Sequence, residues 1–139
     1  MESWVYILFA ILFWGIAPVF GKLGLVEVSP LLGLSIRSFG ISLILLIVGI
    51  VSGELGNLMG LNLRSASLIL AEGLFAGLLG HFAYYYALKA EEVSRVVLLA
   101  RAAPVLTVII GIIFLGESIS HNKVGGMALI VLGAILITL

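Results

Sequence analysis

Four ionisable side chains interrupt long apolar runs of this chain: Arg37, Glu72, His81 and Arg101. A charge near the centre of a bilayer costs at least about 2.5–3.5 kcal/mol on insertion scales. Each therefore needs a chemical reason. Gly33, Gly40 and Ile44 share the face of Arg37, which sits in a notch between small residues. Ser94, Pro104, Val108 and Gly111 share the face of Arg101. Two guanidinium groups in such settings suit a ligand with a carboxylate or another anionic group. Trp14 and Tyr85 offer flat apolar contact beside them. Glu72 and His81 are the proton-coupling candidates, because burial brings carboxyl and imidazole groups into a usable range. A structural alternative stands beside each role. Either arginine could snorkel to an interface from about 10 Å, and Glu72 could do so on a shorter stem. Tyr84, Tyr85 and Tyr86 could form an aromatic belt, and His81 could be a hydrogen-bonded packing residue.

Two prolines mark candidate helix breaks. Pro18 has no N–H to offer the carbonyl of Trp14, and Pro104 none to offer Ala100. Such freed groups are tolerated where they line a cavity, so both positions are candidate cavity walls, with an inert kink as the alternative. No enzyme constellation accompanies them. Ser-His-Asp sets, HExxH, Gly-x-Ser-x-Gly and P-loop patterns are missing from the sequence. His81 and His121 lie on separate elements without a metal-ligand cluster, so neither a metal nor another cofactor is expected.

The elements that must hold these residues are five apolar stretches, at about 4–23, 30–51, 65–88, 94–115 and 122–139. About 20 apolar residues cross a bilayer as a helix. The runs are continuous rather than alternating, which argues against a β-barrel. Charged residues are 10% of the 139, against about 25% in a soluble domain, and mean hydropathy is +1.34. A soluble chain could not hide that surface. Zero net charge argues against a nucleic-acid partner, and zero cysteines exclude disulfides and thiolate chemistry. Met1-Glu2-Ser3 lacks the basic start of a signal peptide, so the first stretch is expected to be retained. Residues 52–64 read as a polar loop. Gly73, Gly77, Gly80 and Ala87 on the third helix, and Gly126 and Gly133 on the fifth, read as packing surfaces.

Orientation is poorly specified. Arg64 and Lys123 fall on the side of the N-terminus, and Lys22, Lys89 and Arg95 on the other. The positive-inside rule needs an asymmetry, and two against three is nearly none. A single orientation with a weak signal and insertion in both orientations both fit.

An ordered series of short motifs gives a resemblance. Phe13-Trp14-Gly15 precedes Pro18, and Ser29-Pro30 precedes Leu34-Ser35-Ile36-Arg37. Tyr85-Tyr86-Ala87-Leu88-Lys89-Ala90 closes the third helix. Ala103-Pro104-Val105 and Phe114-Leu115-Gly116-Glu117 lie on the fourth, and Gly125-Gly126 and Gly133 on the fifth. The series covers the whole chain and resembles the EamA-like family of the drug/metabolite transporter superfamily. Arg101 departs from the uncharged residue expected just before the helix-four proline.

The resemblance implies an all-α integral membrane protein of five transmembrane helices, half of a ten-helix inverted-repeat transporter. It implies a cavity between two halves reached alternately from each side, and export of metabolites, amino acids or drugs. A single five-helix unit builds such a repeat by pairing with an inverted copy, so the expected partners are a small-molecule substrate, the bilayer and a second copy, possibly antiparallel. Substrate-binding candidates are Trp14, Arg37, Tyr85 and Arg101. By depth, inversion would bring Glu72 of one copy level with the arginines of the other. The expected location is the cell or inner membrane, crossed several times. A flippase for lipid-linked substrates and a non-transporting membrane subunit are the rival readings.

Overall fold

The computed structural model describes residues 2–139. All regular structure among the described residues is helical, and five helical stretches are long and apolar enough to cross a membrane: Ser3–Gly24, Pro30–Val51, Leu63–Ala90, Val93–Leu115 and His121–Thr138. These follow the expected stretches to within about two residues at their starts and inner ends, because hydropathy is a direct reading of the solvent each segment meets.

The chain divides into two compact units at Ala90/Glu91. The first holds α1 (Glu2–Gly24), α2 (Pro30–Val51), a short 3-10 helix (Glu54–Gly60), α3 (Leu63–Glu72), a π-helical segment (Gly73–Gly80) and α4 (His81–Ala90). The second holds α5 (Val93–Ala100), α6 (Ala103–Leu115) and α7 (His121–Thr138).

In the first unit, Ser29 caps α2: its Oγ accepts from the N–H of Leu32 at 3.3 Å, and Pro30 takes the first turn. The chain then leaves α2 through Gly53, whose φ of +76° is open to glycine at no steric cost. The stretch expected as a plain loop contains the 3-10 helix, because Leu55 folds back onto Gly49; a β-carbon on Gly49 would meet Leu55 Cγ at 2.9 Å. Asn62 caps α3, accepting from the Arg64 N–H at 2.9 Å.

The expected third helix is one span made of three pieces. Between α3 and α4 the backbone widens into π turns over Gly73–Gly80. π turns are rare and occur mostly as single bulges, so eight residues of them are a feature that small-residue spacing does not announce. The expected packing role of Gly73 and Gly77 is not met among the described residues, where a β-carbon on either would touch nothing within 4 Å. Gly126 and Gly133 are open in the same way.

A knot ties three helix ends together. The Lys22 ammonium donates to the carbonyls of Leu88 at 2.8 Å and Lys89 at 3.2 Å, closing the end of α4. Lys89 donates to the carbonyl of Val28 at 2.8 Å. Leu88 is fully buried, and Gly21 leaves room for it: a β-carbon there would stand 3.1 Å from Leu88 Cδ2. Leu25, Pro30 and Leu34 are also buried in this unit.

In the second unit, the fourth span is split. α5 ends at Ala100, Arg101 and Ala102 form a turn, and Pro104 opens α6. At the far end Gly116 takes φ +67°, and the amides of Gly116 and Glu117 both bond the carbonyl of Gly111. Glu117 thereby folds over Gly111 and reaches Lys123 at 3.1 Å. Ser120 caps α7 by accepting from the Lys123 N–H at 3.2 Å.

Apart from these contacts, long apolar side chains are exposed along every span. In lipid that exposure carries no hydrophobic penalty, so helix association rests on packing and polar contacts.

Candidate functional site

Arg37 lies on α2 and is half-buried. It has no hydrogen-bond or ion-pair partner among the described residues. Gly33, one turn earlier on the same face, is covered by Tyr85 of α4; a β-carbon on Gly33 would meet Tyr85 Cε2 at 3.5 Å and Leu25 Cδ2 at 2.9 Å. The glycine notch beside Arg37 is therefore where the tyrosine ring docks. Tyr85 is in turn edge-on to His81, with ring centroids 6.3 Å apart, and His81 meets Tyr84 the same way at 6.2 Å. So the structure draws together Tyr85, His81 and the turn of α2 that carries Arg37.

His81 Nδ1 stands 2.8 Å from the carbonyl oxygen of Ala76. A carbonyl can only accept, so Nδ1 carries the hydrogen and Nε2 is the free ring nitrogen. His81 is thus hydrogen-bonded within its own span. The tyrosine run does not act as one unit: Tyr84 and Tyr85 face the histidine, while Tyr86 is exposed and pairs edge-on with Phe82 at 4.9 Å.

The remaining candidates are set apart. Glu72 ends α3, exposed and without an ion-pair partner among the described residues, with the π segment between it and His81. Trp14 is 63% exposed on α1. Pro18 does not end its helix: α1 continues to Gly24, since one missing N–H removes one bond and leaves the neighbouring turns intact. The break expected there is corrected to an uninterrupted helix. Pro104, in contrast, does stand at a helix start, after the turn at Arg101. The Arg101 side chain is exposed and unpaired among the described residues, although its backbone N–H bonds the carbonyls of Val97 and Leu98, both at 3.2 Å. The ion pairs in the described chain lie at helix ends instead, Arg95 with Glu91 at 3.3 Å and Lys123 with Glu117.

One feature escaped the sequence reading. Ser35, Ser38 and Ser42 line an open groove of about 260 Å³ along α2, together with Leu31, Leu34, Phe39 and Leu78 of the π segment. Ser35 bonds back to the carbonyl of Leu31 at 2.9 Å, the usual resort of a serine in a spanning helix. Ser38 and Ser42 make no such bond among the described residues. Their spacing of three and seven residues from Ser35 was the available signal, masked by the neighbouring arginine, which lies about 100° around the helix from Ser38.

Five helical stretches long and apolar enough to cross a membrane define an all-α, multi-pass membrane protein. The chain matches the model of the EamA-like transporter family over residues 3–139 and belongs to that family. It is 33% identical over 111 residues to an uncharacterized transporter of Archaeoglobus fulgidus, a match covering 80% of this chain and 33% of that protein. It is 27% identical over 137 residues to an uncharacterized transporter in the cobO 3′ region of Sinorhizobium sp, covering 98% of this chain and 96% of that protein. The chain thus spans a third of the first relative and nearly all of the second. No solved structure matches it at a comparable level. Both relatives carry the name of transporters, as does the family.

Proposed function

We propose that this protein is a secondary transporter that exports small organic molecules bearing an anionic group, amino acids among them, across the cell or inner membrane. The observation that carries this is Arg37: a half-buried guanidinium in a spanning helix, beside the docked ring of Tyr85, with no partner in the described chain. An unpaired charge at that depth is costly, and an anionic ligand entering the site offsets the cost. Trp14 and Tyr85 supply apolar contact, and Glu72 supplies a protonatable group.

The working unit is a pair of inverted copies that opens alternately to each side. Two observations support pairing. Gly73, Gly77, Gly126 and Gly133 leave open small-residue surfaces in the chain, and such surfaces let spanning helices approach closely. Near-even loop charges leave both orientations accessible.

Reconstitution tests the reading. Liposomes containing the chain are loaded with a panel of carboxylate-bearing amino acids and their decarboxylated amines, and efflux is followed by mass spectrometry. Selective efflux of the carboxylates, lost in Arg37→Gln, is expected. Equal efflux of acids and amines, unchanged in Arg37→Gln, overturns the assignment.

A further inference from the structure

The π segment separates two parts of one span that are held very differently. On its far side α4 is fixed: Leu88 is fully buried, Lys22 closes its last carbonyls, Lys89 ties it to Val28, and Tyr85 sits on Gly33. On its near side α3 has no buried residue. Any change of winding between them therefore turns α3 against an anchored α4.

The segment itself is built to change winding. Gly73, Gly77 and Gly80 remove side chains from three of its eight positions. Gly80 suits the π form, because a β-carbon there would stand only 3.0 Å from the backbone oxygen of Phe75. The other hold on the π form is a side chain. His81 Nδ1 donates to the Ala76 carbonyl five residues back, and the backbone N–H of His81 turns to Leu78 instead. In an α-helix a carbonyl is bonded from four residues ahead, so the five-residue reach of His81 belongs to the wider turn.

We infer that Gly73–Gly80 is a rotary joint, latched by His81, that sets the face on which Glu72 is presented. Conversion of one π turn to α takes up one residue of register. One residue corresponds to about 100° of rotation and 1.5 Å of travel. Glu72, at the end of α3, moves with it, while His81 and Tyr85 stay with α4. His81 is then a positioning residue for Glu72 rather than a carrier of the proton. The purpose of the joint rests on the alternating-access reading above; its geometry does not.

The chain has no cysteine, so labels can be placed at will. The full chain in liposomes carries spin labels at Ser67→Cys on α3 and Leu46→Cys on α2, and their separation is measured by pulsed electron resonance. His81→Phe keeps a ring for Tyr84 and Tyr85 but removes the latch. Gly80→Ala leaves the latch and removes the room that the π turn needs. Both are expected to shift the distance distribution to one common new peak, since a rotation of about 100° moves a point on the helix surface by roughly 8 Å. Gly40→Ala, where a β-carbon meets nothing within 4 Å, is expected to keep the parent distribution. The parent distribution in both test variants, or two unrelated new ones, overturns the joint; if one variant fails to insert, the other decides. A common shift in a chain that moves no solute would keep the joint and sink the transport reading. Efflux with no shift would do the reverse.

Discussion

Tyr85 rests on Gly33, with its ring 3.5 Å from where a β-carbon would stand. That contact joins α4 to the turn of α2 that leads to Arg37, so the aromatic and cationic parts of the candidate site are set by one glycine. Gly33→Leu should displace both Tyr85 and Leu25. Overpacking of this kind costs about 1–3 kcal/mol. A lowered unfolding midpoint in mild detergent checks it, and an unchanged midpoint would show that the Tyr85 ring moves aside freely.

Arg37 and Arg101 should be dispensable for insertion. Replacing either by Gln removes a charge that costs at least about 2.5 kcal/mol in mid-membrane, so the amount of inserted protein should stay level or rise. Binding of an anionic substrate should fall together with that gain. Calorimetry on the purified variants measures it, and full affinity in both would reduce these arginines to snorkelling side chains.

The glutamate prediction follows from depth. Arg37 lies roughly 5 Å from the middle of its span and Glu72 roughly 7 Å from the middle of its own, on opposite sides of the membrane centre. Within one copy they are too far apart in depth to pair, and the structure gives neither an ion-pair partner among the described residues. In an inverted pair Glu72 of one copy reaches the level of Arg37 of the other. Glu72→Gln should then weaken the dimer or change how substrate binding varies with pH. Matching dimer dissociation and matching pH profiles in parent and variant would rule out the cross-copy pair.

Topology gives the last prediction. With loop cations divided two to three, a compartment-specific reporter at the C-terminus should give signal on both faces of the membrane. Signal from one face only would exclude dual insertion. Two lysines added to the loop around residues 52–64 should then fix the orientation and reduce efflux unless an oppositely fixed partner is supplied.

The five spans were legible because lipid reads hydropathy segment by segment, and Pro104 announced the break before α6 because its missing N–H coincides with the turn at Arg101. Pro18 carried the same local signal yet leaves α1 whole; the difference lies in what surrounds each proline, which spacing does not record. The π turns were hidden because Gly73, Gly77 and Gly80 fit a small-residue packing stripe equally well, and only the winding of the backbone separates the two. Of the candidate site, Tyr85 and His81 come together, whereas Trp14 and Glu72 are left exposed.

The knot at the end of α4 bears on how this protein can evolve. Lys22 and Lys89 count toward the orientation signal, yet both ammonium groups also close backbone carbonyls at 2.8 Å. Losing either would loosen α4, so a stable fold favours positive charge on that side whatever topology prefers. A lineage drifting toward a fixed orientation with that side outward has to proceed by gaining cations on the opposite loops. Descendants of a duplicated copy should therefore differ first around Arg64, leaving the lysine pair unaltered.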